Sequence, residues 1–169
     1  MIFMTVGTQL TFDRMVQTVD GWCESRKTNA VFGQISDPGP KGYRPAYFEW
    51  RDFIAPDEFN RRYEEADLII AHAGMGSIIS ALTMAKPIVI MPRKAVLGEH
   101  RNDHQLATAE KFADRSGVYV AWNETELPGL LDRLIENPPS ANGEAASAFA
   151  DPQLIGTVRD FIFSDRKAG

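Results

Sequence analysis

The chain has 169 residues, of which 44% are hydrophobic and 24% charged, with a formal net charge of −5; this balance fits one soluble globular domain and gives no electrostatic reason to expect nucleic-acid binding. No apolar run approaches the roughly 18 to 20 residues that span a bilayer, and Met1-Ile2-Phe3-Met4-Thr5 lacks the basic start of a signal peptide, so a cytoplasmic protein is expected. The lone Cys23 excludes an internal disulfide and a cysteine-rich zinc site, and reads as a core thiol.

Apolar and β-branched residues predict a first strand over residues 2–6, which runs through Val6-Gly7-Thr8-Gln9 into a helix over 12–22. A second strand is expected over 30–35. The stretch Ser36-Asp37-Pro38-Gly39-Pro40-Lys41-Gly42 is too rich in proline and glycine for either element and reads as an exposed loop. A strand over 47–50, a helix over 56–65 and a strand over 68–71 follow. Then come a glycine-rich turn, a helix over 77–85, a strand over 88–91, a helix over 102–116, a strand over 118–121 and a helix over 124–136. Strands alternating with helices, some of them apolar at nearly every position (Leu68-Ile69-Ile70-Ala71, Ile88-Val89-Ile90-Met91), predict a doubly wound α/β domain with a mostly parallel, Rossmann-like sheet covered on both faces. This domain spans residues 1–137. Residues 138–150 read as a linker and 151–169 as a C-terminal helix, with Leu154, Ile155, Val158, Phe161 and Ile162 on one face, packing either on its own domain or on a partner.

In an open parallel sheet ligands sit beyond the carboxyl ends of the strands. Two loops there suit an anion. In the first, Gly7 permits close backbone approach and Thr8 offers a hydroxyl. In the second, His72-Ala73-Gly74-Met75-Gly76-Ser77, two glycines clear space for a phosphate, and Ser77 brings a hydroxyl to the unpaired N–H groups and positive dipole of a helix start. A purely structural reading of the same residues makes Ser77 a helix cap and the glycines turn formers. The third small position of a dinucleotide fingerprint is Ile79 and no Gly-x-x-x-x-Gly-Lys-Ser/Thr loop exists, which argues against NAD and against a P-loop nucleotidase.

The strand, His-Ala-Gly-x-Gly-Ser and helix, followed by Lys86-Pro87 and an apolar strand ending in Pro92, resemble the C-terminal domain of family 28 glycosyltransferases. Met4-Thr5-Val6-Gly7-Thr8, Tyr63 through His72, and Asn102-Asp103-His104-Gln105-Leu106 fit the same pattern, so the resemblance covers roughly residues 1–136. Within the family it resembles the small subunits of the dolichol-linked N-acetylglucosaminyltransferase and of bacterial exopolysaccharide transferases. The resemblance implies half of a GT-B fold that binds a UDP-sugar. Gly7, Thr8, His72, Gly74, Gly76 and Ser77 would hold the donor diphosphate. Phe53 and Ile54 would read the uracil edge, although Phe53 equally fits an ordinary core position. His104 and Gln105 would meet the donor sugar. Ser80 stands where the family has a ribose-binding glutamate, a shorter and uncharged replacement.

No Asp-x-Asp pair occurs, in keeping with transfer that needs no metal and no further cofactor. The resemblance places the acceptor site and the general base on another domain, and hence on a membrane-associated acceptor-binding glycosyltransferase subunit that presents a lipid-linked glycan or exopolysaccharide precursor. This chain would supply donor binding, recruited to the inner membrane face by that partner. Two other readings stay open: a non-catalytic interaction or regulatory module of the same complex, and a self-sufficient enzyme of the sugar-nucleotide epimerase kind.

Overall fold

The computed structural model describes residues 1–139. Its elements are β1 (Ile2–Thr5), α1 (Asp13–Arg26), β2 (Val31–Gln34), β3 (Glu49–Arg51), α2 (Pro56–Glu65), β4 (Leu68–His72), α3 (Met75–Thr83), β5 (Ile88–Met91), a 3-10 turn (Ala95–Leu97), α4 (His104–Phe112), β6 (Val118–Val120) and α5 (Leu127–Glu136). The six strands form one sheet in the order β3-β2-β1-β4-β5-β6, with all pairings parallel. This is the α/β, doubly wound class expected from the sequence. The linker and helix predicted beyond Pro139 lie outside the described residues.

Alternation of side chains along the central strands sorts the core into two layers. Ile2, Met4, Leu68, Ile70, Val89 and Met91 face α1 and α5, where Met15, Val19, Leu127 and Leu131 are buried against them. Phe3, Ile69, Ala71, Ile88 and Ile90 face the other way, onto Tyr63 of α2, Ile78 and Ala81 of α3, and Ala109 of α4. Cys23 lies in the first layer, as expected, and burial pushes its thiol up to about 12, which leaves it protonated and unreactive. On the second face Phe3 meets Phe59 and Tyr63 edge-on at 5.3 and 5.7 Å. The Tyr63 hydroxyl then donates to the Ser77 carbonyl at 2.8 Å, tying α2 to the first turn of α3.

Several boundaries differ from expectation for local reasons. Helix α1 continues to Arg26 and stops where Lys27 turns left-handed at φ 50. Helix α3 begins two residues earlier than the sequence implies, with extended Gly74 as its N-cap, so Ser77 sits in the first turn and does not cap it. Helix α5 starts only at Leu127, because the Asn123 carboxamide accepts from the Thr125 and Glu126 N–H groups and folds residues 123–126 into a turn. Strand β3 starts late because the loop before it is organised by Asp20 of α1. This buried carboxylate accepts from the N–H groups of Ala46 (3.0 Å) and Tyr47 (2.7 Å) and from the Tyr43 hydroxyl (2.6 Å). Truncating it would remove these bonds, and although water can reach the freed donors, each bond to a charged group contributes roughly 1 kcal/mol or more. Asp20→Ala is therefore expected to lower unfolding free energy by about 3 kcal/mol, read as a drop in urea midpoint; an unchanged midpoint would refute this role.

Candidate functional site

Strand order reverses between β1 and β4, whose register pairs Thr5 with Ala71. The loops leaving these two neighbours therefore start side by side at the carboxyl edge of the sheet, the switch point at which open α/β sheets bind ligands. The structure brings Gly7 and Thr8 together there with His72, Gly74, Gly76 and Ser77.

His72 joins the two loops. Gly7 has φ +83, and a Cβ on it would stand 3.1 Å from His72 Cε1; a Cβ on Gly74 would overlap His72 Nε2. Both glycines are required because the imidazole lies between them. Gly76 is different: nothing lies within 4 Å of where its Cβ would be, so the space above the first turn of α3 is open. Ile78 is the first residue of α3 whose N–H bonds backward, to the Gly74 carbonyl, which leaves the N–H groups of Met75, Gly76 and Ser77 at the positive end of the helix dipole.

Burial, then the nearby positive charge of Arg93, push the His72 imidazole down to about 4, against a hydrogen bond with the Thr5 backbone that acts the other way. His72 is thus neutral at pH 7. Its Nδ1 and that of His100 are buried without a hydrogen-bond partner among the described residues. The His100 ring meets the His104 ring edge-on at 4.4 Å, and His104 Nδ1 contacts the Asn102 side chain. All three histidines of the chain thus gather at this edge.

The sequence reading missed the side chain that organises the first loop. Arg93, just beyond β5, is 2% exposed, and its guanidinium donates to the carbonyls of Val6 (2.9 Å), Leu10 (2.8 Å) and Thr11 while lying 4.6 Å from the Phe12 ring centroid. A signal was present in the sequence: an arginine directly after an apolar strand and a proline, where a solvated position is not assured. The Arg93 N–H in turn donates to Gln105 Oε1 at 3.1 Å. Gln105 is itself buried and braces the β5–α4 loop. Arg14 fixes the same loop from α1 through paired bonds to Glu99 at 2.7 and 2.8 Å.

The other expected site residues lie at the same edge in differing settings. Phe53 is 60% exposed, so it is no core residue, and its N–H donates to Asp52. Ile54 is buried, with its N–H on Gln34 Oε1 at 3.3 Å. Ser80 is half-buried, one turn after Ser77 on α3, and His104 is exposed at the start of α4. Among the described residues no group of three acidic, histidine or cysteine side chains could hold a metal, and no helix is long and apolar enough to cross a membrane. A mainly apolar cavity of about 740 Å³ lies at the opposite, amino end of the strands, lined by Ile2, Trp22, Leu68, Pro87 and Leu134.

The setting of His72 predicts a pH dependence. Its folded pKa of about 4 lies below the ordinary 6.5, so the neutral form stabilises the fold above pH 6.5, and that contribution drains as pH falls towards 4. The difference corresponds to on the order of 3 kcal/mol. Thermal melts should show a stability loss from pH 6.5 to 4.5 that is clearly flatter in His72→Asn. Parallel pH profiles for the two proteins would remove His72 as its source.

With this geometry in place, comparison with known proteins is specific. The model of the glycosyltransferase family 28 C-terminal domain matches residues 1–155. The UDP-N-acetylglucosamine–N-acetylmuramyl-(pentapeptide) pyrophosphoryl-undecaprenol N-acetylglucosamine transferase of Cytophaga hutchinsonii is 35% identical over 80% of this chain and 37% of its own length. Human UDP-N-acetylglucosamine transferase subunit ALG13 is 26% identical over 86% of the chain and 13% of its own length. The chain thus spans well under half of either relative. Among solved structures, Acinetobacter baumannii MurG superposes with a TM-score of 0.62 at 21% identity over 95% of this chain and 48% of that one. The solution structure of ALG13 gives 0.56 at 18% identity over 93% of both chains. By sequence and by fold, this chain belongs to the glycosyltransferase family 28 C-terminal domain family.

Proposed function

We propose that this chain binds a UDP-sugar across the β1–α1 loop and the start of α3, and is the donor-binding part of a glycosyltransferase whose acceptor site and general base lie on another polypeptide. The observation that carries this reading is the pair of loops joined by His72 at the switch point, each with backbone N–H groups free to meet an anion. When the sugar–phosphate bond breaks, negative charge collects on the β-phosphate, and fixed N–H dipoles there stabilise the departing diphosphate with little reorganisation. Ser77 adds a hydroxyl in the same turn. His104 would face the sugar, with Gln105 buried behind it as a brace of the loop and not a sugar contact; Phe53 and Ile54 would face the uracil, and Ser80 the ribose. No metal or cofactor enters this scheme.

The names of the relatives support UDP-N-acetylglucosamine as donor. The first also supports a lipid-linked acceptor, being named for a pyrophosphoryl-undecaprenol, and the second, named a subunit, supports a partner chain. A membrane-associated acceptor-binding chain is the partner this reading requires. In its favour, Leu10, Met75, Ile79, Val96 and Leu97 are exposed on and beside the loops at the carboxyl edge, an unusual concentration of apolar surface around a polar site.

Gly76 provides the test. The space at its Cβ is open, and valine is tolerated in a helix at least as well as glycine, so Gly76→Val should fold with an unchanged melting temperature. In calorimetry the natural chain should bind UDP and UDP-N-acetylglucosamine, and Gly76→Val should bind them about tenfold or more weakly, roughly 1.4 kcal/mol. Equal binding by the variant, or no heat from the natural chain with or without its partner, would defeat the reading.

A further inference from the structure

We infer that Arg93 is a positioning residue for the anion site: from beneath the β1–α1 loop it draws carbonyls inward and thereby turns the loop's N–H groups towards the ligand. The inference rests on the donor-binding reading above and adds to it a residue that never touches the ligand.

The geometry is that of trans peptides. In a planar trans peptide the C=O of one residue and the N–H of the next point in opposite directions. Arg93 takes the carbonyls of Val6, Leu10 and Thr11, so the N–H groups of Gly7, Thr11 and Phe12 point away from it. A fourth carbonyl, that of Gly7, is held by the Ser36 hydroxyl at 2.9 Å, which turns the Thr8 N–H outward in the same way. The Gly7 N–H is occupied by Thr5 Oγ1 at 3.2 Å. Those of exposed Thr8 and half-buried Thr11 meet no acceptor among the described residues, while Phe12 is buried beneath them. Backbone N–H groups turned to one side of a loop offer an anion several donors at once, as helix starts and nests do.

An arginine is needed for the task. Its fork reaches several acceptors from one buried position, whereas an ammonium is a single point on a flexible stem. The seat is specific as well: the guanidinium lies over Phe12 at 4.6 Å, and its backbone N–H is fixed by Gln105. The start of α3 makes no bond to Arg93 and is held instead by Tyr63 through the Ser77 carbonyl. The two halves share the His72 contact but are hydrogen-bonded to different supports, Arg93 and Tyr63, and this makes the inference testable within one molecule.

The test uses the ¹⁵N-labelled full chain titrated with UDP and followed by amide spectra. In the natural protein the amides of Thr8 and Thr11 should shift together with those of Met75, Gly76 and Ser77. In Arg93→Lys the first group should cease to respond while the second still shifts, and UDP affinity should fall about tenfold. Should Arg93→Lys give no dispersed spectrum, Phe12→Leu removes the ring under the guanidinium while keeping an apolar side chain, and should produce the same selective loss to a smaller degree.

Responses of both groups unchanged in a folded variant would overturn the inference, and so would their disappearance together, which marks a general scaffold role. If the natural chain shifts only the α3 amides, this inference falls and donor binding survives. If neither group shifts, both fall.

Discussion

The parallel pairing of β1 with β4, in the register that sets Thr5 against Ala71, is the constraint on which the site depends. It brings two loops from distant parts of the sequence to the same height, with His72 at the end of one strand beside Gly7 at the end of the other. The imidazole then fills the volume that side chains would occupy at both Gly7 and Gly74. Three residues that look like separate motif letters are one packed unit. Enlarging either glycine would push on the histidine, and through it on the opposite loop, because close-packed interiors transmit such displacements. Gly76 stands outside this unit and is free of neighbours, as a position meant for a ligand would be.

The electrostatics follow from the same arrangement. An anion site on a chain of net charge −5 needs local positive potential. His72 does not provide it as a formal charge, since burial and Arg93 keep the ring neutral at pH 7. Burial also lowers the Arg93 guanidinium to about 10, with Glu99 acting in the opposite direction, so Arg93 remains charged under the same conditions. Three of its contacts are to carbonyl oxygens. In the inference drawn above, the anion would meet peptide dipoles that this cation orients, together with the start of α3. Oriented dipoles suit a site where charge must be held and then released, because they stabilise an anion without forming a tight ion pair with it.

The fold was legible because the strands advertise it. Ile69-Ile70-Ala71 and Ile88-Val89-Ile90 are apolar at every position, and only a sheet covered on both faces accommodates that. The two glycine-bearing loops at the carboxyl edge were legible because glycines between a strand and a helix mark a tight turn. Long-range polar contacts were not. Arg93 looks in sequence like a surface arginine after Pro92, and its acceptors lie more than 80 residues away, at Val6, Leu10 and Thr11. Asp20 resembles any acidic residue on an exposed helical turn, yet its partners are carried on the loop before β3. Gln105 was singled out through resemblance alone, and the structure shows its carboxamide oxygen bracing Arg93. Side chains that bond to backbone carry no periodicity of their own, so the pattern that revealed the elements could not reveal them.

Gln34 extends the argument from the phosphates to the base. It is buried at the end of β2, and its carboxamide reaches two ways: Oε1 accepts from the Ile54 N–H at 3.3 Å, while Nε2 lies 3.5 Å from the Gly7 carbonyl. The backbone of Phe53 and Ile54 is where the family resemblance would read uracil, and Gly7 begins the loop proposed to meet the diphosphate. A base that engaged Ile54 would have to displace Gln34 Oε1, and the freed carboxamide would alter its contact with Gly7. In the donor-binding reading, a base at Ile54 would thus be coupled to the loop at Gly7 through one buried side chain. With Ser80 in place of a carboxylate, that reading leaves less of the nucleotide's orientation to the ribose and more to this coupling.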